Sequence, residues 1–232
     1  MRISGLAKSS TVDYPGLLSC VVFTPGCNYD CFFCHNRELL EGHAPSLEED
    51  EVLSFLRKRA GLLDAVVVSG GEPTLQPEAL EDFLTAVRSL GGYRLKLDTN
   101  GSHPDVVAQL LARGLLDYVA MDYKAPFDRY PEIAGAEGQE PLVRRTLALL
   151  RDSGLPFELR TTVVPQLEPE DLLRMLKEIG PLPRYVLQLY RKPDNFRPCD
   201  RFRIEAAAYT PGQLRDMGQA LQALEPNTIV KA

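Results

Sequence analysis

The chain has no apolar run long enough to cross a membrane. Residues 1–25 also lack the ordered basic, apolar and cleavage regions of a secretion signal, so a cytoplasmic location with no membrane partner is expected. A basic surplus is missing as well: the net charge of -6 gives no general attraction for nucleic acid and leaves room only for a local patch. Cysteine is scarce, five residues in 232, with three bunched together and Cys20 and Cys199 standing apart. An odd, uneven set argues against a secreted disulfide framework and for a reducing compartment. It also excludes a second all-cysteine cluster once a first has taken three. No sequence repeat is visible, and the length suits one α/β domain.

What is present is a regular alternation. Residues 2–7 and 17–24 read as strands, the second too apolar for an exposed edge, with Cys20 an inert core thiol inside it. Ser46 and Glu49 form a capping-box pattern that opens a helix to about residue 60. A nearly continuous apolar strand then runs into Gly70-Gly71-Glu72-Pro73, as expected of a parallel sheet buried on both faces. Helices follow at 77–89, 103–113, 139–152 and 168–178, interleaved with strands at 93–98, 117–122, 157–163 and 185–190. Residues 124–138 and 191–203 read as long rim loops, the latter with five basic and two acidic side chains. Thr210-Pro211 caps a last helix at 211–224. Six main strands fall short of the eight of a closed barrel.

The chain centres on residues 20–36. Cys27, Cys31 and Cys34 stand at C-x3-C-x2-C spacing after a Pro-Gly turn. Three thiolates within eight residues repel one another unless a metal or cluster neutralises them, and soft sulfur favours zinc or iron-sulfur. Structural zinc wants four protein ligands, and His35 follows Cys34 too closely to turn back to the same ion. A three-cysteine set suits a [4Fe-4S] cluster with one iron open, but spacing alone leaves cluster and zinc evenly matched. Phe32 and Phe33 between the cysteines read as a solvent-excluding shell. Ligands of a parallel α/β sheet collect beyond the carboxyl ends of its strands. The distinctive polar groups fall there: the cysteines, G-G-E-P at 70–73, D-T-N-G at 98–101, D-Y-K at 122–124 and R-T-T at 160–162.

The string C-N-Y-D-C-F-F-C-H-N resembles the cluster motif of radical S-adenosylmethionine enzymes, and its C-H-N ending resembles that of glycyl-radical activating enzymes. T-V-D-Y-P-G at 11–16 is similar to the branch that activates anaerobic ribonucleoside-triphosphate reductase. With the other motifs and R-T-T-V-V-P at 160–165, the likeness covers nearly the whole chain. It implies a partial (β/α)6 barrel occupying 1–232 as one domain, with 1–16 an N-terminal extension and 204–232 a C-terminal helical closure. The cluster and cofactor would lie at the carboxyl end of the strands.

The resemblance also implies roles. Cys27, Cys31 and Cys34 hold the [4Fe-4S] cluster, whose free iron chelates S-adenosylmethionine. Gly70, Gly71, Glu72 and Pro73 form its binding loop, and Asp98, Asn100, Asp122, Lys124, Arg160 and Gln188 complete the cofactor pocket. Gln188 stands near where relatives commonly carry a histidine. Asp98, Thr99, the Ala120 carbonyl and Asp122 match a monovalent-cation site, while Asp98 to Gly101 also reads as an Asx turn. Lys124 is the functional charge next to the reaction. A reduced flavodoxin or ferredoxin would supply one electron, and S-adenosylmethionine cleavage would place a radical on a glycine of the reductase or of another glycyl-radical enzyme. The alternatives are a small-molecule radical enzyme resembling 7-carboxy-7-deazaguanine synthase and, from another class, a zinc-stabilised binding protein.

Overall fold

The computed structural model describes residues 1–40 and 46–232. Its centre is one eight-stranded sheet whose spatial order follows the chain, β1 to β8. β1 (Gly5–Ser10) runs antiparallel to β2 (Ser19–Thr24) and closes one edge. From β2 onward every neighbour is parallel: β3 (Ala65–Gly70), β4 (Arg94–Thr99), β5 (Tyr118–Asp122), β6 (Phe157–Val163), β7 (Tyr185–Leu189) and β8 (Thr228–Lys231). Each strand from β2 to β6 is joined to the next through helix, as parallel pairing requires. Among the described residues the two edge strands do not pair, so the sheet curls without closing.

The connecting segments contain α1 (Arg37–Leu40), α2 (Glu49–Arg59), α3 (Pro77–Leu90), α4 (Pro104–Ala112), α5 (Tyr130–Ile133), α6 (Glu140–Asp152), α7 (Pro169–Ile179), α8 (Arg201–Ile204) and α9 (Pro211–Gln222). Side chains alternate across each strand, so every strand has two destinations. Cys20, Val22, Val66, Val68, Leu95 and Leu97 join the main core with buried residues of the helices. Val21, Ala65, Val67 and Tyr118 meet Tyr14 in a second, smaller cluster on the opposite face. Ala65 and Tyr118 begin their strands, so this cluster floors the amino end of the barrel. The T-V-D-Y-P-G turn belongs to that floor: the Tyr14 ring packs 5.6 Å from Tyr118, and the Asp13 carbonyl accepts from Lys96 at 2.7 Å.

Three expectations change in detail. The first strand lies at Gly5–Ser10 rather than 2–7, with Ile3 making a separate bridge to Leu47. Helix α2 starts at Glu49 without a side-chain cap; the Glu49 carboxylate pairs with the Met1 amino group instead of completing a capping box with Ser46. Residues 204–232 are more than a helical closure, because β8 follows α9 and adds to the sheet beside β7. A four-residue edge strand is too short to show a period in sequence. The predicted cap at Thr210 is present, its hydroxyl accepting from the Gln213 amide.

Helix α9 seats on β8 through Gly218, where an added Cβ would lie 2.2 Å from Val230 Cγ2. Alanine normally favours a helix over glycine by about 1 kcal/mol. Here overpacking, typically about 1–3 kcal/mol, should outweigh that gain. Gly218→Ala is therefore expected to lower the unfolding free energy, and Val230→Ala in the same chain to restore it, as read by urea denaturation.

Candidate active site

All three clustered cysteines line one cavity of about 300 Å³ at the carboxyl ends of the strands. The loop that carries them is irregular and held from several sides. The Gly26 amide donates to Leu39, the Asp30 amide to Ala134 at 3.0 Å, and the Asp30 carboxylate pairs with Arg37 and Arg197. Phe32 and Phe33 are buried and meet edge to face at 5.1 Å, with the Arg203 guanidinium 4.7 Å from the Phe32 ring centre. Both predicted rim loops thus contribute to the cysteine loop's support. The 124–138 segment carries α5, and the 191–203 segment leads into α8.

Next to the cysteines, Gly70 and Gly71 bring the backbone against the Pro25-Gly26 turn. The Gly71 amide donates to Thr24 at 2.8 Å and the Glu72 amide to Gly26 at 2.7 Å. A Cβ at Gly71 would sit 1.8 Å from the Gly26 carbonyl oxygen, so only glycine fits this approach. Glu72 is wholly buried. One carboxylate oxygen accepts from the Thr74 amide (3.1 Å), the Thr74 hydroxyl (2.6 Å) and the Thr99 hydroxyl (2.8 Å), while the other accepts from the Asn100 amide (2.7 Å). Burial raises its carboxyl above the usual range against the pull of these donors. Pro73 is buried at the start of the turn that follows and lies outside the cavity wall.

Across the cavity runs a chain of alternating charges. Lys96 Nζ meets Asp98 at 2.6 Å, Arg160 bridges Asp98 (3.0 Å) and Asp122 (2.9 Å), and Lys124 Nζ meets Asp122 at 2.9 Å. Burial alone would raise both carboxyls, but Arg160 and the lysines hold Asp98 below its ordinary range and Asp122 at about 2. Burial lowers Lys96 despite the opposing pull of Asp98. Burial works against the charge on Lys124 too, yet Asp122 and Cys31 raise it above its ordinary value. Three cations against two carboxylates leave the chain positive. The Lys124 ammonium acts on all three cysteines, drawing each thiol downward. Burial dominates nevertheless and pushes Cys27 up to about 11 and Cys31 up to about 12.

The cavity wall therefore gathers Cys27, Cys31, Cys34, Gly70, Gly71, Glu72, Asp98, Thr99, Asn100, Asp122, Lys124, Arg160 and Gln188 from the sequence-based set. Ala120 lies outside it, paired in register with Asp98. Three of the four positions matched to a cation site are otherwise engaged: Arg160 stands between the Asp98 and Asp122 carboxylates, and the Thr99 hydroxyl serves Glu72. Sequence reasoning missed Ser69 and Lys96, and it included Thr162 in the R-T-T motif without giving it a role. The first donates to Asp98 at 3.3 Å, the second opens the charge chain, and the third lines the wall beside Gln188. Lys96 and Thr162 lie two residues from Asp98 and Arg160, so the strand period pointed to them.

The donor set fits an iron-sulfur cluster. The three cysteines line a common cavity beside the Gly70-Gly71 loop, and soft thiolates are the ligands that iron-sulfur clusters take.

Residues 21–179 match the family model of the radical SAM superfamily, and the chain belongs to that superfamily. A Methanocaldococcus jannaschii protein named "putative glycyl-radical enzyme activating enzyme" is 31% identical over 99% of this chain and 95% of its own length. The pyruvate formate-lyase-activating enzyme of Listeria monocytogenes is 26% identical over 82% of this chain and 84% of its own. These matches set the chain in the glycyl-radical-activating branch. Among solved structures, SuiB of Streptococcus suis bound to S-adenosylmethionine superposes with a TM-score of 0.66 at 13% identity, over 91% of this chain and 52% of SuiB. Escherichia coli coproporphyrinogen III oxidase gives 0.62 at 20% identity, over 88% of this chain and 50% of that one. The chain spans about half the length of these two enzymes, with which it shares the fold.

The charge chain carries a pH signature. An aspartate depressed from 3.8 to about 2 in the folded state contributes stability that is complete above the unfolded value and lost as pH falls through the folded one. Urea titrations of the metal-free chain between pH 5 and pH 2 are expected to show that loss, with a shallower slope in Asp122→Asn.

Proposed function

We propose that this chain is a radical S-adenosylmethionine activating enzyme that installs a glycyl radical on anaerobic ribonucleoside-triphosphate reductase. The observation that carries the activator reading is the end-to-end match to a protein named for that role, on a chain whose three cysteines line one cavity. The choice of reductase rests on the T-V-D-Y-P-G resemblance. That turn forms the barrel floor, at the far end of the strands from the cysteines, so it speaks for common descent more than for partner contact.

Cys27, Cys31 and Cys34 would hold the cluster. Held there and reduced by a flavodoxin or ferredoxin, a cluster would supply the one electron that cleaves S-adenosylmethionine into methionine and the 5'-deoxyadenosyl group, which would leave as 5'-deoxyadenosine with the glycine hydrogen. The chain's own residues do the rest by placement. Backbone carbonyls of the Gly70-Gly71 loop would receive the methionyl ammonium, and Lys124, at the cationic end of the charge chain, would attract the carboxylate. Arg160 acts through Asp98 and Asp122, keeping both ionised and fixed. Thr162 and Gln188 offer uncharged hydrogen-bonding groups on the far wall. Tyr29 and Phe33 exclude water from the cysteine side, which a radical intermediate requires.

Free thiols are mostly protonated at neutral pH and only thiolates ligate iron, so iron loading must displace protons. Anaerobic reconstitution should release protons to a weakly buffered solution and leave iron with acid-labile sulfide. Replacing any one of Cys27, Cys31 or Cys34 by alanine should abolish 5'-deoxyadenosine formation. A stable cluster with normal turnover in such a variant counts against the assignment.

The partner is tested by electron paramagnetic resonance on reduced, reconstituted protein mixed with S-adenosylmethionine and the reductase large subunit from the same organism. A glycine-centred doublet that needs every component is expected. A doublet on pyruvate formate-lyase but not on the reductase would move the assignment to the second partner, which the Listeria match favours. Cofactor cleavage with no glycyl signal would leave a small-molecule reaction.

A further inference from the structure

Asn100 is 5% exposed and every polar atom of its side chain has a partner. Its Oδ1 accepts from the Ser102 amide at 2.9 Å, which realises the Asx turn. A backbone N–H can only donate, so this bond settles the orientation of the amide and assigns both hydrogens to Nδ2. One goes to Asn28 Oδ1 at 2.9 Å, and the other faces Cys27 Sγ at 3.8 Å. Asn28 is pinned in turn, its Nδ2 donating to Ser102 Oγ at 2.9 Å. The Asn100 backbone is itself tied down by its bond to Glu72. Cys27 thus receives a side-chain donor in addition to the Tyr29 amide at 3.4 Å. Among the described residues, neither Cys31 nor Cys34 has a side-chain hydrogen bond to its sulfur.

We infer that Asn100 is a positioning residue for the cluster ligand Cys27, its amide donating to the thiolate and raising the reduction potential of the iron it carries. The sequence places Asn100 among residues facing S-adenosylmethionine; the hydrogen-bond accounting directs its amide to the ligand sulfur. A donor to a thiolate stabilises negative charge on sulfur, and reduction adds negative charge to the cluster, so the bond favours the reduced state. Asn28 and Ser102 leave the amide one remaining hydrogen and one direction in which to use it. The inference rests on Cys27 ligating iron, as the functional reading holds.

The test begins with wild-type protein, reconstituted and assayed for iron and sulfide. A preparation holding zinc and no sulfide refutes the cluster reading and this inference with it. With the cluster in place, selective 15N labelling of asparagine and pulsed electron paramagnetic resonance of the reduced state should show a nitrogen coupling. Asn100→Leu should abolish that coupling and move the midpoint potential to more negative values at unchanged iron and sulfide content. Asn100→Asp keeps the acceptor for Ser102 and the side-chain shape but loses both N–H donors, so it should also abolish the coupling if the leucine variant does not load. A coupling and potential unchanged in a fully loaded Asn100 variant would overturn the inference. Should neither variant load, absence of any asparagine coupling in the wild type overturns it, as does a coupling that vanishes from wild type labelled only at asparagine side-chain nitrogens, while a side-chain coupling kept in Asn28→Asp supports it.

Discussion

A carboxylate with no contact to solvent must have its oxygens satisfied by protein, and Glu72 is the group on which the site depends. Its four donors come from its own turn and from the end of β4, so the loop after β3 and the loop after β4 become one unit. The same loop is welded to the cysteine loop through the Gly26 carbonyl, with no room for a side chain at Gly71. Three chain segments that each look irregular therefore behave as one rigid rim. A reaction that hands a radical between molecules needs such rigidity, because a misplaced carbon would take hydrogen from the nearest wrong donor.

The charge chain across the barrel meets a second constraint. A polar interior in a curled sheet is costly unless each charge is paired, and pairing arranges Lys96, Asp98, Arg160, Asp122 and Lys124 along three adjacent strands. The floor beneath them is apolar and closed by Tyr14 and Tyr118. The excess positive charge ends at Lys124, near three sulfurs that must be thiolates to hold iron. At these sulfurs the Lys124 charge favours the thiolate while burial favours the thiol.

Much of the fold was legible in the chain. Apolar runs ending in glycine, followed by helical periods, announce parallel strands because both signals are local. The capping pattern at Thr210 was equally readable, whereas Ser46 and Glu49 shared the same pattern and did not form a box, since Glu49 found the amino terminus. β8 escaped notice because four residues at an edge hold too little pattern. Lys96 was within reach of the strand period but stood in no motif, while Thr162 stood in the R-T-T motif with no role assigned to it. Arg160 was visible as a functional charge; its double pairing was not.

By itself the sequence determined the cysteine set and the architecture. Cysteine spacing lies within one loop, and the alternation of strand and helix is written in periods of two and 3.6 residues. The tertiary structure decided who pairs with whom. Asn100 and Cys27 are 73 residues apart, Arg160 and Asp98 are 62 apart, and Glu72 reaches the Asn100 amide across 28. Such partners meet only because parallel strands laid side by side in chain order bring their carboxyl ends to one rim. No local period encodes that meeting, since the directions of the hydrogen bonds depend on register and on which group is already satisfied.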